Sequence, residues 1–121
     1  MGTRADFYIG TGPKAEWLGS VGWDGYEWAQ DKGCPLMRAK NADEFRAAVK
    51  KISELRDDWT SPDQGWPWPW DTSHTTDYTY SFGRKKTSVF IFGGPKNGWP
   101  DMKSIKNVSY GKNSGLIVIG G

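Results

Sequence analysis

The chain is 121 residues long, enough for one domain with a single modest core. Apolar residues make up only 36%, yet aromatics reach 15% and eight residues are Trp, which excludes a disordered chain; no apolar run has membrane length. The net charge is only +2 but uneven: residues 83–121 sum to +6 and residues 1–82 to −4, an asymmetry that points either to a charged partner or to halves that pack into one mixed surface.

In chain order, ADFYIG (5–10) reads as a first strand, closed by turn chemistry at Gly10, Gly12 and Pro13. WLGSVGW (17–23) reads as the returning strand, and its glycines predict a bulge or another backbone passing close by. Residues 24–40 read as irregular, broken by Asp24-Gly25 and Gly33-Cys34-Pro35. A helix is expected at about 41–57. Asn41 is its N-cap, Glu44 completes a capping box, and Phe45, Ala48, Val49, Ile52 and Leu55 form one apolar stripe. Arg46, Lys50 and Lys51 fall off that stripe, on a solvated basic face.

Beyond the helix, three prolines exclude regular structure from TSPDQGWPWPWD. TDYTYSF (76–82) and TSVFIFG (87–93) form a hairpin around FGRKKT. PDMKSIK (100–106) reads as a helical turn, and VSYGKNSGLIVIGG as strand, turn and strand. The expected fold is α+β: an antiparallel sheet of about five or six strands with the one main helix packed on a face, in a single domain over 1–121.

Two stretches align without gaps. FYIGTGPKAEW (7–17) and VFIFGGPKNGW (89–99) share Ile9/Ile91, Gly12/Gly94, Pro13/Pro95, Lys14/Lys96 and Trp17/Trp99. Each is a strand running into a Gly-Pro-Lys turn. Such a turn can aim backbone N–H groups at an anion, with the Lys adding charge, or it can simply turn the chain while the Trp anchors it to the core. Neither the phosphate-loop spacing nor the dinucleotide glycine pattern is present.

Candidate chemistry is sparse. One Cys and one His exclude a Cys/His structural zinc site, and no nucleophile elbow occurs. No metal or cofactor is expected. The best enzymatic set is His74 with Asp71 or Asp77 and Arg84, a small hydrolase or nuclease in outline, although no spacing demands it. The lone Cys34 and an N-terminus without a signal-peptide core fit a reducing, cytoplasmic setting.

The most distinctive feature is GWPWPWD (65–71). Proline stiffens an extended path, and Trp66, Trp68 and Trp70 alternate along it, with Trp59 upstream. Asp57, Asp58, Asp63 and Asp71 flank these rings. Rigid aromatics in an acidic rim suit docking on a basic partner; the alternative is that the rings fold back as core. The basic residues Lys14, Arg84, Lys85, Lys86, Lys96, Lys103, Lys106 and Lys112 are the candidate nucleic-acid or anion contacts.

FYIGTGPKAEWLGS together with DDWTSPDQGWPWPWDTSHTTDYTYSF resembles a set of small uncharacterised bacterial and bacteriophage proteins, over roughly the first two-thirds of the chain. The resemblance implies a bacterial or phage setting and no particular activity. The expected function is a non-catalytic binding protein, in its most concrete form a phage-encoded inhibitor of a host nucleic-acid-handling defence complex, of the anti-CRISPR kind. Direct nucleic-acid binding and a His74-dependent toxin are the alternatives. The expected partner is a protein or nucleoprotein complex, not a membrane.

Overall fold

The computed structural model of the chain describes residues 2–102. The final strands expected at 108–119, the terminal Gly-Gly, most of the expected turn at 100–106, and Lys103, Lys106 and Lys112 lie outside the described residues.

Among the described residues, five strands and one main helix form an α+β fold. The elements are β1 (Ala5–Ile9), β2 (Glu16–Val21), the short α1 (Pro35–Arg38), α2 (Ala42–Leu55), β3 (Trp59–Thr60), β4 (Tyr78–Gly83) and β5 (Lys86–Ile91). They order as β3-β2-β1-β4-β5 in one sheet. Three pairings are antiparallel, as the sequence leads one to expect. The pairing of β1 with β4 is parallel, so the sheet is mixed.

That parallel pair dictates the rest of the topology. β3 lies at one edge and β4 beyond β1, so the segment between them must cross β2 and β1. That segment is the Trp–Pro stretch, interrupted by short 3-10 turns at Pro62–Gln64 and Ser73–Thr75. It crosses the face opposite α2. The molecule therefore has three layers, with the sheet between a helical and an aromatic cover.

The helix forms as its sequence directs. Asn41 Oδ1 accepts from Glu44 N at 2.8 Å. The Glu44 carboxylate closes the reciprocal bond one residue further out than expected, accepting from Lys40 N at 2.8 Å. Phe45, Ala48, Val49 and Ile52 are buried against Phe7, Val21, Tyr80 and Phe82. Phe7 stacks on Tyr80 with ring centroids 5.3 Å apart and meets the Trp28 edge at 5.4 Å. Such pairs contribute about 0.5–1.5 kcal/mol beyond area burial. Leu55 departs from the expected stripe. It is 78% exposed.

On the opposite face, Tyr8, Trp17, Trp66, Trp99 and Met102 form a second core. Trp99 stacks on Tyr8 at 4.6 Å, and Trp17 meets Trp66 edge-on at 4.9 Å. The alternation of β1 explains both cores. Ala5 and Phe7 face the helix, Asp6 and Tyr8 face the crossover, and all four are fully buried. The glycine-rich β2 contains the expected irregularity: Phe7 pairs with Gly19 and Tyr8 with Trp17, leaving Leu18 as a bulge. The Trp59 ring lies directly over Gly19, whose φ is 147°, so no Cβ fits there.

Candidate functional site

The crossover turns its indoles in different directions. Trp66 is buried, and its Nε1 donates to Trp70 O at 2.7 Å. Half-buried Trp68 donates its Nε1 to Asp6 Oδ1 at 2.7 Å. Trp59, also half-buried, donates to Ser61 Oγ at 3.0 Å. Trp70 alone of the four presents a broad outer face, 44% exposed, with the Arg4 guanidinium 4.0 Å from its ring centroid. Arg4 is itself anchored: Nη2 donates to Thr75 O at 2.6 Å, and the Asp77 carboxylate accepts from both its backbone N–H (2.9 Å) and Nε (3.4 Å).

Asp6 is the residue that reading the sequence missed. Fully buried, it accepts from Ser20 Oγ and Ser73 Oγ, each at 2.6 Å, as well as from Trp68. Trp17 Nε1 donates to Ser20 Oγ at 3.0 Å, and Tyr8 Oη shares a 2.8 Å hydrogen bond with Ser73. Burial pushes the Asp6 carboxyl up from its ordinary pKa, while the Ser20, Ser73 and Trp68 donors, with the neighbouring Thr76 hydroxyl, pull it back. Burial, with the Asp6 charge adding to it, likewise raises the Tyr8 phenol. The signal was present in the sequence: one charged residue inside an otherwise apolar strand.

The acidic residues also divide. Asp58 does not face a partner. Its Oδ2 accepts from Gly22 N at 2.9 Å and Trp23 N at 3.0 Å, and Arg56 grips both carboxylate oxygens at 2.7 and 2.9 Å. Burial works to raise its pKa, but Arg56 and the two amides outweigh it and hold the carboxyl below its ordinary value. Asp57, Asp63 and Asp71 are exposed. The four indoles and four carboxylates expected to act together thus divide: Trp66 is buried against the sheet and the covered Asp58 side chain holds the 22–23 turn, while Trp70, Asp57, Asp63 and Asp71 are exposed.

A different apolar grouping emerges, mostly aromatic. Trp23 (48% exposed), Tyr26 (37%), Trp70 (44%), Ile91 (62%) and Phe92 (61%) all lie toward the end of the sheet where β1 begins. The register establishes this. Ala5 pairs with both Val21 and Tyr78, and Tyr78 with Ile91, while Gly25 N donates to Thr3 O and Trp70 stacks on Arg4. Exposed carboxylates rim this end: Asp24, Glu27, Asp57 and Asp71. Its two arginines, Arg4 and Arg56, are both engaged by acids. Phe92 has φ 47° and Asp24 φ 56°, left-handed backbone that is rare for non-glycine residues and an outlier for a bulky one.

The cations gather at the opposite end. Gly10 N donates to Phe82 O at 2.8 Å, which sets the first Gly-Pro-Lys turn beside the β4–β5 hairpin. Gly12 N donates to Gly98 O at 2.8 Å, and Asn97 Nδ2 to Thr11 Oγ1 at 3.2 Å, so the two related turns pack on each other. Exposed Lys14 and Lys96 ride on these turns, next to exposed Arg84, Lys85 and Lys86 on the hairpin. Trp17 and Trp99, the repeated aromatics, are both buried in the second core. In the hairpin, Gly83 pairs with Lys86, and Arg84 and Lys85 occupy left-handed positions at φ 53° and 66°.

His74 is exposed, with Nδ1 3.5 Å from Thr72 Oγ1. Among the described residues no hydrogen bond or ion pair joins it to Asp71 or Arg84, and Asp77 is bound to Arg4. The sequence-level trio is therefore not assembled into one hydrogen-bonded set. Among the described residues no helix is long and apolar enough to cross a membrane.

No family model, curated protein or solved structure matches this chain.

Proposed function

We propose that the protein is a small non-catalytic binding protein. Its aromatic, acid-rimmed end docks on a basic surface of a partner protein or nucleoprotein complex. In its most specific form it is a phage-encoded inhibitor of a host nucleic-acid-handling defence complex, acting in the bacterial cytoplasm. The observation that carries the docking is the concentration of Trp23, Tyr26, Trp70, Ile91 and Phe92 at one end of the sheet. Large aromatics dominate binding hot spots, and an acidic rim steers them toward a basic surface. Phe92 adds weight: a bulky side chain held both exposed and in left-handed backbone costs stability that a functional contact would offset. The inhibitor part rests on the bacteriophage resemblance together with the separate basic end. The test is partner binding by Trp70→Ser and Phe92→Ser variants. Unchanged affinity in both would remove this end from the account.

A second reading, direct nucleic-acid binding, is favoured by the hairpin. A two-residue turn with both φ values positive favours Asn-Gly, yet Arg84-Lys85 stands there. Two cations held at unfavourable backbone positions, beside Lys14 and Lys96, fit a phosphate-contacting edge. Its test is the salt dependence of oligonucleotide binding; an affinity flat in salt would count against it.

A further inference from the structure

The helical layer carries a feature unconnected with either end. Between α1 and α2 runs an apolar groove of about 700 Å³, within the range of small-molecule sites. It follows α2 from Glu44 to Leu55, a length of about 16 Å at the helical rise. Trp28, Leu36, Ala48 and Ile52 line it, and the exposed Leu55 forms its far lip.

The rim is cationic. Arg38, Lys40 and Lys51 border the groove, all exposed, and none forms an ion pair among the described residues. The one acid on the rim, Glu44, turns its carboxylate back onto Lys40 N. The chain's own last segment is a poor occupant by charge, since residues 103–121 carry three Lys and no Asp or Glu. An apolar trough with exposed cations at its rim calls for an elongated ligand that is apolar along its length and anionic at its head.

We propose that this groove binds a single-chain anionic amphiphile of the fatty-acid class. The acyl chain lies along α2 toward Leu55, and the carboxylate meets Arg38 and Lys40. This goes beyond the docking reading and stands independently of it.

The test titrates the full chain with dodecanoate below its micellar concentration, read by calorimetry and by the change in tryptophan fluorescence, which should be smaller in a Trp28→Phe variant. Dodecanol is the uncharged control. Saturable one-to-one binding is expected. The double variant Arg38→Glu/Lys40→Glu should weaken it by about tenfold or more, the equivalent of about 1.4 kcal/mol. Ala47→Trp, at an exposed position on the groove wall, should abolish it while circular dichroism shows an intact fold. Trp70→Ser and Phe92→Ser should leave it unchanged, which separates this site from the docking end. No saturable dodecanoate binding would overturn the proposal. So would full binding by folded Ala47→Trp, or equal affinity for dodecanol. Saturable binding of an acidic amphipathic peptide in place of dodecanoate would make the groove a protein-docking site and also overturn it.

Discussion

The Nε1 of Trp68 donates to the Oδ1 of Asp6 at 2.7 Å, tying the middle of the Trp–Pro crossover to the central strand. This one bond joins the most conspicuous motif in the sequence to a residue that attracted no notice there. Asp6 also holds Ser20 of β2 and Ser73 of the crossover, so a single carboxylate fastens three segments. Asp6→Ala would remove the shared acceptor of three donors, two of them, the Ser20 and Ser73 hydroxyls, fully buried. An unsatisfied buried donor costs about 1–3 kcal/mol, so the variant should lose about 3 kcal/mol or more in urea denaturation, with Asp6→Asn losing less. A loss under about 1 kcal/mol would mean that water or rearrangement replaces the hub.

The same carboxylate gives stability a distinctive pH dependence. Its folded-state pKa is raised, so above the ordinary carboxylate pKa, about 4, the folded chain binds more protons than the unfolded one. Stability from this group is therefore greatest at low pH and falls as pH rises through the folded value. Asp58 and Glu16 act with the opposite sign, since Arg56 and Arg46 hold their pKa values down and their contribution is lost as pH falls. The difference in unfolding free energy between the natural chain and Asp6→Asn isolates the Asp6 part. It should shrink as pH is raised from about 4 upward. A difference that grows with pH would show that Asp6 is held ionised.

Gly19→Ala should be poorly tolerated. The Trp59 ring occupies the place of a Cβ, and φ at 147° adds backbone strain. A loss of about 2 kcal/mol or more is expected by thermal or urea unfolding. Combining it with Trp59→Leu should cost less than the sum of the two single changes, because removing the ring opens the space.

Two surface sites, Phe92 and the Arg84-Lys85 turn, should show stability and binding moving in opposite directions. Phe92→Gly relieves left-handed backbone and is expected to be neutral or stabilising by up to about 1 kcal/mol while weakening partner binding. Replacing Arg84-Lys85 by Asn-Gly should likewise stabilise the hairpin by about 1 kcal/mol. If the basic end contacts phosphates, that change should also lower the log–log salt slope of oligonucleotide binding by about 2. A stabilised hairpin with an unchanged slope would confine these cations to solubility.

Much of the scaffold was legible from local signals. The Asn41 cap, the α2 stripe through Ile52 and the hairpin around residues 83–86 each follow from short-range chemistry. The glycines of β2 announced the bulge, whereas what passes close to Gly19 is the Trp59 ring and not the backbone expected there. What escaped depends on long-range pairing. Nothing local distinguishes a β4 that pairs parallel with β1 from one that merely continues a meander, and only that pairing sends the Trp–Pro stretch across the sheet. Once it crosses, the burial of Trp66 and the exposure of Trp70 follow from geometry that alternating Trp and Pro do not encode. Asp6 stands out locally as the one charged residue of β1, but what it holds was hidden for the same reason, since its partners lie 14, 62 and 67 positions away. The exposed apolar residues proposed to dock likewise come from segments at 23–26, 70 and 91–92 that only the register brings to one end.

The most direct test of the central claim is affinity purification from bacterial lysate after nuclease treatment. The natural chain would be run beside a Trp70→Ser/Phe92→Ser variant and a Lys85→Glu/Lys96→Glu variant, each verified as folded by circular dichroism. The account predicts one stoichiometric protein partner that survives nuclease, is lost with the aromatic variant and presents a basic surface to this chain. A partner retained in full by the aromatic variant, or one that disappears with nuclease and with the charge-reversed variant, would contradict it and make nucleic-acid binding at the basic end the primary activity.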